Sequence, residues 1–164
     1  MNCEKSTEEN ETQYYKCEVN NELNNTINNI TFNSKNAPFV FEIETPGYAA
    51  AESMTEYPQR GNISPKDYTK NGIIYFYPGC RGREHGAPLG VVDLKAAVVF
   101  IKNLGDLIPG NKNRIFSVGM SGGGAQSSLM GVTGNSENFN KYLEQIGVDI
   151  KIDNSVLVLC AIVQ

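Results

Sequence analysis

Residues 119–123 read Gly119-Met120-Ser121-Gly122-Gly123, at the end of the apolar run 114–118 (RIFSV). This is the G-x-S-x-G nucleophile elbow, in which a strand turns sharply into a helix and lifts one hydroxyl to the top of a sheet. The serine of such a turn holds strained backbone angles, and its flanks leave no room for Cβ atoms, so Gly119 and Gly123 belong to the motif as much as Ser121 does. Ser121 is the candidate nucleophile. Acyl transfer also needs amide donors already in place for the oxyanion of its tetrahedral intermediate. Gly122, next after the serine, is the first expected donor. The second is expected from a loop after an earlier strand, and residues 78–84 (PGCRGRE) form a glycine-rich loop of that kind. The main-chain amide of Cys80 or of Arg81 is therefore the expected second donor. A glycine-rich connection without chemistry is the competing reading of these residues.

Other reactive side chains are fewer. Cys80 with His85 five residues on offers a rival nucleophile, but such pairs are defined by spatial geometry, not by proximity in sequence. Arg81 and Arg83 suit bidentate binding of a substrate carboxylate or phenolic oxygen, and beside Glu84 they read equally as solvated surface charge. Asp93 lies in the first turn of a predicted helix, where a carboxylate suits the helix dipole. The four cysteines (Cys3, Cys17, Cys80, Cys160) and the single histidine have no metal-ligand spacing, so no metal is expected, and free thiols are expected at Cys3 and Cys17. Gly119, Gly122, Gly123 and Gly124 do not complete G-x-G-x-x-G, because Ser127 stands three residues after Gly124, and no P-loop follows. No cofactor is expected.

The elements that must position Ser121 follow from pattern. Residues 39–44 alternate as a strand ending at Pro46-Gly47, and 48–71 read as irregular. Residues 72–77 are continuously β-branched and aromatic, the mark of a central strand covered on both faces. Over 88–104 the period becomes helical. Leu94, Ala97, Val98, Ile101 and Leu104 form one stripe and Val92, Ala96, Val99 and Phe100 another, predicting a wide-faced, largely buried helix. A strand at 114–118, the elbow helix, a helix at 137–146 and a strand at 156–163 complete the series. Alternation of this kind argues for a parallel sheet with right-handed crossovers. Residues 1–36, polar and rich in asparagine, are expected to form a flexible tail, leaving 37–164 as the folded domain.

Composition excludes several classes. A net charge of -4 and a pI near 5.0 argue against nucleic acid as a partner, and no apolar stretch is long enough to span a membrane. Met1-Asn2-Cys3 shows neither a basic nor an apolar leader, which reads as cytoplasmic; the alternative is export or a lipid anchor at Cys3 behind a signal that precedes it. Oligomeric state is left open.

Three blocks carry a family resemblance: 77–84 (YPGCRGRE), 87–97 (APLGVVDLKAA) and 114–135 (RIFSVGMSGGGAQSSLMGVTGN). Over about residues 72–160 the chain resembles bacterial tannase and feruloyl-esterase-like α/β-hydrolases. The resemblance implies an α/β-hydrolase-type, mostly parallel sheet with flanking helices and a small-molecule ester as substrate. It also implies serine carboxylic-ester hydrolysis, with Ser121 as nucleophile and the loop 79–81 as oxyanion partner. The triad of this fold runs serine, then acid, then histidine, with the last two on loops after later strands. No histidine follows Ser121, His85 precedes it, and Asp149 and Asp153 stand before the strand near Val156, the wrong end for a triad acid. The expectation is a partial hydrolase domain, incomplete in its C-terminal half, with negligible esterase activity by itself. The alternative is a non-catalytic remnant or binding protein that retains the elbow.

Overall fold

The computed structural model describes residues 2–7, 13–18, 25–27, 30–53 and 65–162. Two antiparallel pairs come first: β1 (Asn2–Thr7) with β2 (Gln13–Glu18), and β3 (Asn25–Ile27) with β4 (Ile30–Phe32). From Phe32 onward the chain is in contact with the main body. The amide of Gly110 donates to the Ser34 carbonyl at 2.7 Å, and a Cβ on Gly72 would stand 2.8 Å from that of Phe32.

The main sheet contains β5 (Phe39–Ile43), β6 (Ile74–Phe76), β7 (Ile115–Met120) and β8 (Leu157–Ile162), in the order β6-β5-β7-β8 with every ladder parallel. Each crossover carries a helix: α1 (Pro65–Lys70) between β5 and β6, α2 (Leu89–Asn103) between β6 and β7, and α3 (Gly122–Thr133) followed by α4 (Asn140–Gln145) between β7 and β8. The step from β5 to β6 runs one way along the sheet and the next two steps run the other way. Right-handed crossovers must then place α1 on one face and α2 and α3 on the other. The packing agrees. Tyr68 of α1 stacks on Tyr75 with ring centroids 5.5 Å apart, whereas the opposite face, Phe39, Phe41 and Ile43, is buried with Leu94, Val98 and Ile101 of α2 and Met130 of α3. Burial of each such side chain contributes roughly 1.5–3 kcal/mol.

Three expectations change. Residues 72–77 lie at the edge of the described sheet, next to β5 alone, and the central places go to β5 and β7. The strand is apolar on both faces because Phe76 faces the core while Tyr75 is covered by α1. The segment 48–71 contains α1, whose first residue is Pro65 preceded by Ser64, a helix-start signature. On α2, Phe100 is 59 % exposed, and the fully buried residue of the polar set is Lys95. Its ammonium donates to the Gly134 carbonyl and, at 3.0 Å, to Asn154 Oδ1, and lies 4.8 Å over the Phe139 ring. Burial pulls its pKa from 10.5 to about 8, against the opposing charge of Asp153. Asp153 itself pairs with Lys102 of α2 and accepts from Asn135 and Ser155. At the β8 side of the sheet Leu157, Leu159 and Met120 are exposed. Among the described residues no helix is long and apolar enough to cross a membrane.

Candidate active site

The reversal of winding direction fixes where a site can form. The chain leaves β5 toward α1 on one face and leaves its neighbour β7 into α3 on the other, so a crevice opens between the carboxyl ends of these two strands. Ser121 stands there, half-buried, with φ +55° and ψ -122°. Its carbonyl accepts from Ala125 at 3.0 Å as the first bond of α3, a helix whose N-terminal amides favour developing negative charge at the serine. Among the described non-glycine residues only Ser121 and Tyr48 have positive φ, and both lie at this crevice. Left-handed backbone at such residues costs about 1–3 kcal/mol each and persists only where surrounding structure enforces it.

The glycines enforce it by letting main chain meet main chain. A Cβ on Gly119 would stand 2.3 Å from the Gly123 carbonyl oxygen, and one on Gly123 would stand 2.0 Å from that of Ile43. On Gly122 it would meet Thr45 O at 2.2 Å, Tyr48 N at 2.7 Å and Gly47 N at 3.3 Å. The first turn of α3 therefore rests on the end of β5 and on the loop 45–48 after it. That loop is a single 3-10 turn, Pro46–Tyr48, in which Tyr48 N–H donates to Thr45 O at 2.9 Å and Gly47 takes φ +59°. Buried hydroxyls tie the parts together. Thr45 Oγ1 donates to Gln126 Oε1 of α3 at 2.7 Å, and Ser127 Oγ of α3 bonds Ser117 Oγ of β7 at 2.9 Å. Among the described residues the amides of Gly47 and Gly122 have no acceptor.

The loop 78–84 sits one place further out. Cys80 exchanges both backbone bonds with Ala51, N–H to O at 2.8 Å and the reverse at 2.9 Å, and Arg81 N–H donates to Asp93 Oδ2 at 2.8 Å. The amides expected as second oxyanion donors are thus committed elsewhere. The reason is topological: β5 lies between β6 and β7, so the loop after β5 stands between the loop after β6 and the elbow. The Arg81 guanidinium grips Asp93 through Nε at 2.9 Å and Nη2 at 2.7 Å, and Arg83 Nη1 donates to Gly47 O at 3.2 Å. Burial, and then the Asp93 charge, push the Cys80 thiol up, the opposite of what a thiolate nucleophile requires. His85 is half-exposed, its Nε2 3.7 Å from Glu84 Oε1. Asp153 is held by Lys102 ahead of β8, and Asp149 accepts from the Lys151 amide at 2.9 Å in the same stretch. Sequence reasoning missed Thr45, Gly47 and Gln126. The signal was Pro46-Gly47 two residues beyond the end of an apolar strand.

The BD-FAE family profile matches residues 27–160. Solved structures similar to this chain include a Fusobacterium nucleatum tannase, 34 % identical with a TM-score of 0.70, aligned over 79 % of this chain and 29 % of that one. A tannase from Lactobacillus plantarum is 30 % identical with a TM-score of 0.67, aligned over 82 % and 31 %. A tannin acyl hydrolase in complex with ethyl gallate is 30 % identical with a TM-score of 0.66, aligned over 77 % and 31 %. The chain spans about three tenths of the length of these proteins. No curated protein matches it. The parallel sheet with its flanking helices is part of the α/β-hydrolase fold of these tannases, and the chain belongs to the BD-FAE family.

Proposed function

We propose that these residues supply the nucleophile and the oxyanion donors of a tannase-like carboxylic-ester hydrolase acting on a small aromatic ester of the gallate type. The observation that carries the reading is the strained Ser121 at the winding reversal, with the unengaged amide of Gly122 next to it and that of Gly47 in the turn packed against Gly122. Ser121 Oγ adds to the ester carbonyl as a base takes its proton, and the carbonyl oxygen becomes an oxyanion that accepts from the two amides. Collapse expels the alcohol, which takes up the proton, and water then releases the acid from acyl-Ser121 by the same path. Preorganised amides matter because they are aimed before charge develops; removing one such donor costs roughly 2.7–4 kcal/mol in other serine hydrolases.

The base is the part these residues do not provide. His85 is the single histidine of the chain and sits beside Glu84 on the outer loop. In this reading an acid and a base come from outside the 164 residues, and the chain alone retains at most the about 10³ to 10⁴-fold over water that binding and an oxyanion hole give without a triad.

Exogenous base tests this directly. The chain is incubated with p-nitrophenyl acetate or a fluorophosphonate, with and without imidazole, beside Ser121→Ala. The expected result is imidazole-dependent hydrolysis and labelling at Ser121 beyond that of the alanine variant. A well-folded chain with no difference from Ser121→Ala at any imidazole concentration would overturn the reading in favour of a non-catalytic binding protein that keeps the elbow.

A further inference from the structure

Neither arginine of the loop 78–84 faces solvent unengaged. Arg81 is fixed to α2 by three bonds to Asp93, one from its amide and two from its guanidinium, at 2.7–2.9 Å. This segment is laid main chain against main chain on the stretch after β5: Ala51 and Cys80 form an antiparallel bridge, and a Cβ on Gly82 would stand 2.3 Å from the Ala50 amide nitrogen. From that anchored base Arg83 reaches to the Gly47 carbonyl, its Nη1 also lying 3.8 Å from where a Gly47 Cβ would be. Among the described residues Arg83 has no carboxylate partner, its neighbour Glu84 lying beside His85. The Gly47 carbonyl belongs to the peptide plane joining the left-handed Gly47 and Tyr48, both at φ +59°. Whatever fixes that plane fixes the turn against which Gly122 packs.

We infer that Arg83 is a positioning residue for the oxyanion-forming loop: carried on a segment clamped by Arg81 and Asp93, it holds the Gly47–Tyr48 peptide in its left-handed path and so keeps the Gly47 amide aimed at Ser121. The inference rests on the ester-hydrolase reading for its catalytic consequence, and on geometry alone for its structural one. A hydrogen-bonded guanidinium restrains a carbonyl more firmly than water does, and one ångström of drift in an oxyanion donor is costly.

The experiment compares the whole chain with Arg83→Gln and Arg83→Lys. One readout is the rate of Ser121 phosphonylation by an uncharged fluorophosphonate in imidazole. The other is the ¹H–¹⁵N resonance and hydrogen exchange of the Gly47 and Tyr48 amides. Arg83→Gln is expected to slow labelling about tenfold and to shift and deprotect those amides, and Arg83→Lys to recover part of both. Labelling within about twofold of the parent with unmoved amides overturns the inference. So does a loss confined to a carboxylate-bearing probe, which would make Arg83 a substrate-anion ligand instead. If the parent chain fails to label at all, the ester-hydrolase reading falls, and the amide readout still decides whether Arg83 holds the loop.

Discussion

Lys95 makes a quantitative prediction, because a buried amine that titrates near neutrality ties stability to pH in one direction. Its pKa is pulled from 10.5 to about 8, with burial disfavouring the ammonium more than Asp153 favours it. Below about pH 8 both folded and unfolded chains hold the proton, and the folded state bears the full cost of the buried charge. Between 8 and 10.5 only the unfolded chain still binds that proton, so stability rises with pH by up to about 1.4 kcal/mol per pH unit. The gain due to Lys95 from about pH 7 to about pH 9.5 is therefore about 2 kcal/mol, and it is lost again as pH falls through the folded-state value. Neutral Lys95 keeps two N–H donors for the Gly134 carbonyl and Asn154 Oδ1, so the contacts survive the titration. The assay is urea unfolding of the chain and of Lys95→Met across this range. The quantity of interest is the difference between the two curves, since Cys80 and Tyr75, both pushed up by burial, act with the opposite sign in both proteins. A difference that stays constant to within about 0.5 kcal/mol, or falls with pH, would refute the claim that a charged amine is buried against α3 and Asn154.

Three further outcomes follow from the same packing. Gly123→Ala puts a Cβ 2.0 Å from the Ile43 carbonyl, a backbone group that cannot swing aside, and should cost at least about 3 kcal/mol in urea unfolding; a near-neutral result would mean that α3 does not rest on β5 as described. Ser117→Ala or Ser127→Ala alone should cost about 1–3 kcal/mol by stranding the other buried hydroxyl, while the double variant should be closer to wild type, which a double-mutant cycle measures directly. Asp153 is held well below its usual 3.8 because, despite burial that would raise it, Lys102, Ser155 and Asn135 favour its charged form. That stabilisation is present above 3.8 and is lost as pH falls below it, so Lys102→Met should lose less stability than the parent on acidification; parallel acid-unfolding curves would contradict it.

The sequence disclosed elements better than neighbours. The strand at 39–44, the helix at 88–104, the strand at 114–118 and the strand at 156–163 appear within a residue or two of expectation, because apolar period and Gly/Pro punctuation are local signals. The strained turn at Ser121 between β7 and α3 was legible for the same reason. Lys95 was not, since a charged residue inside an apolar helix looks like a solvated position until Gly134, Phe139 and Asn154 are known to converge on it. The depth of burial on α2 was likewise misjudged at Phe100, whose exposure depends on what lies across the helix and not on its own period.

Strand order is the piece of information that decided which loop stands beside the elbow, and it is long-range. A parallel strand entering beside β5 goes to one side or the other according to the face its crossover helix takes, and nothing within residues 72–77 announces which. Because α1 takes the far face, β6 lands on the outer side of β5, and the place beside the elbow strand passes to β5. The turn packed against the elbow is then one more than seventy residues upstream, not the more glycine-rich loop that precedes α2. That second loop is left with a different task. Its Cys80 amide closes a bridge with Ala51, its Arg81 grips α2, and its Arg83 reaches the carbonyl of Gly47, so it supports from outside the turn that it was expected to replace. A left-handed tyrosine and a left-handed serine at one crevice are hard to keep without such support, since each would relax if either loop were free. The strain at Tyr48 and Ser121 and the clamp formed by Asp93, Arg81 and Arg83 thus meet in one place, the turn 45–48 on which the first turn of α3 rests.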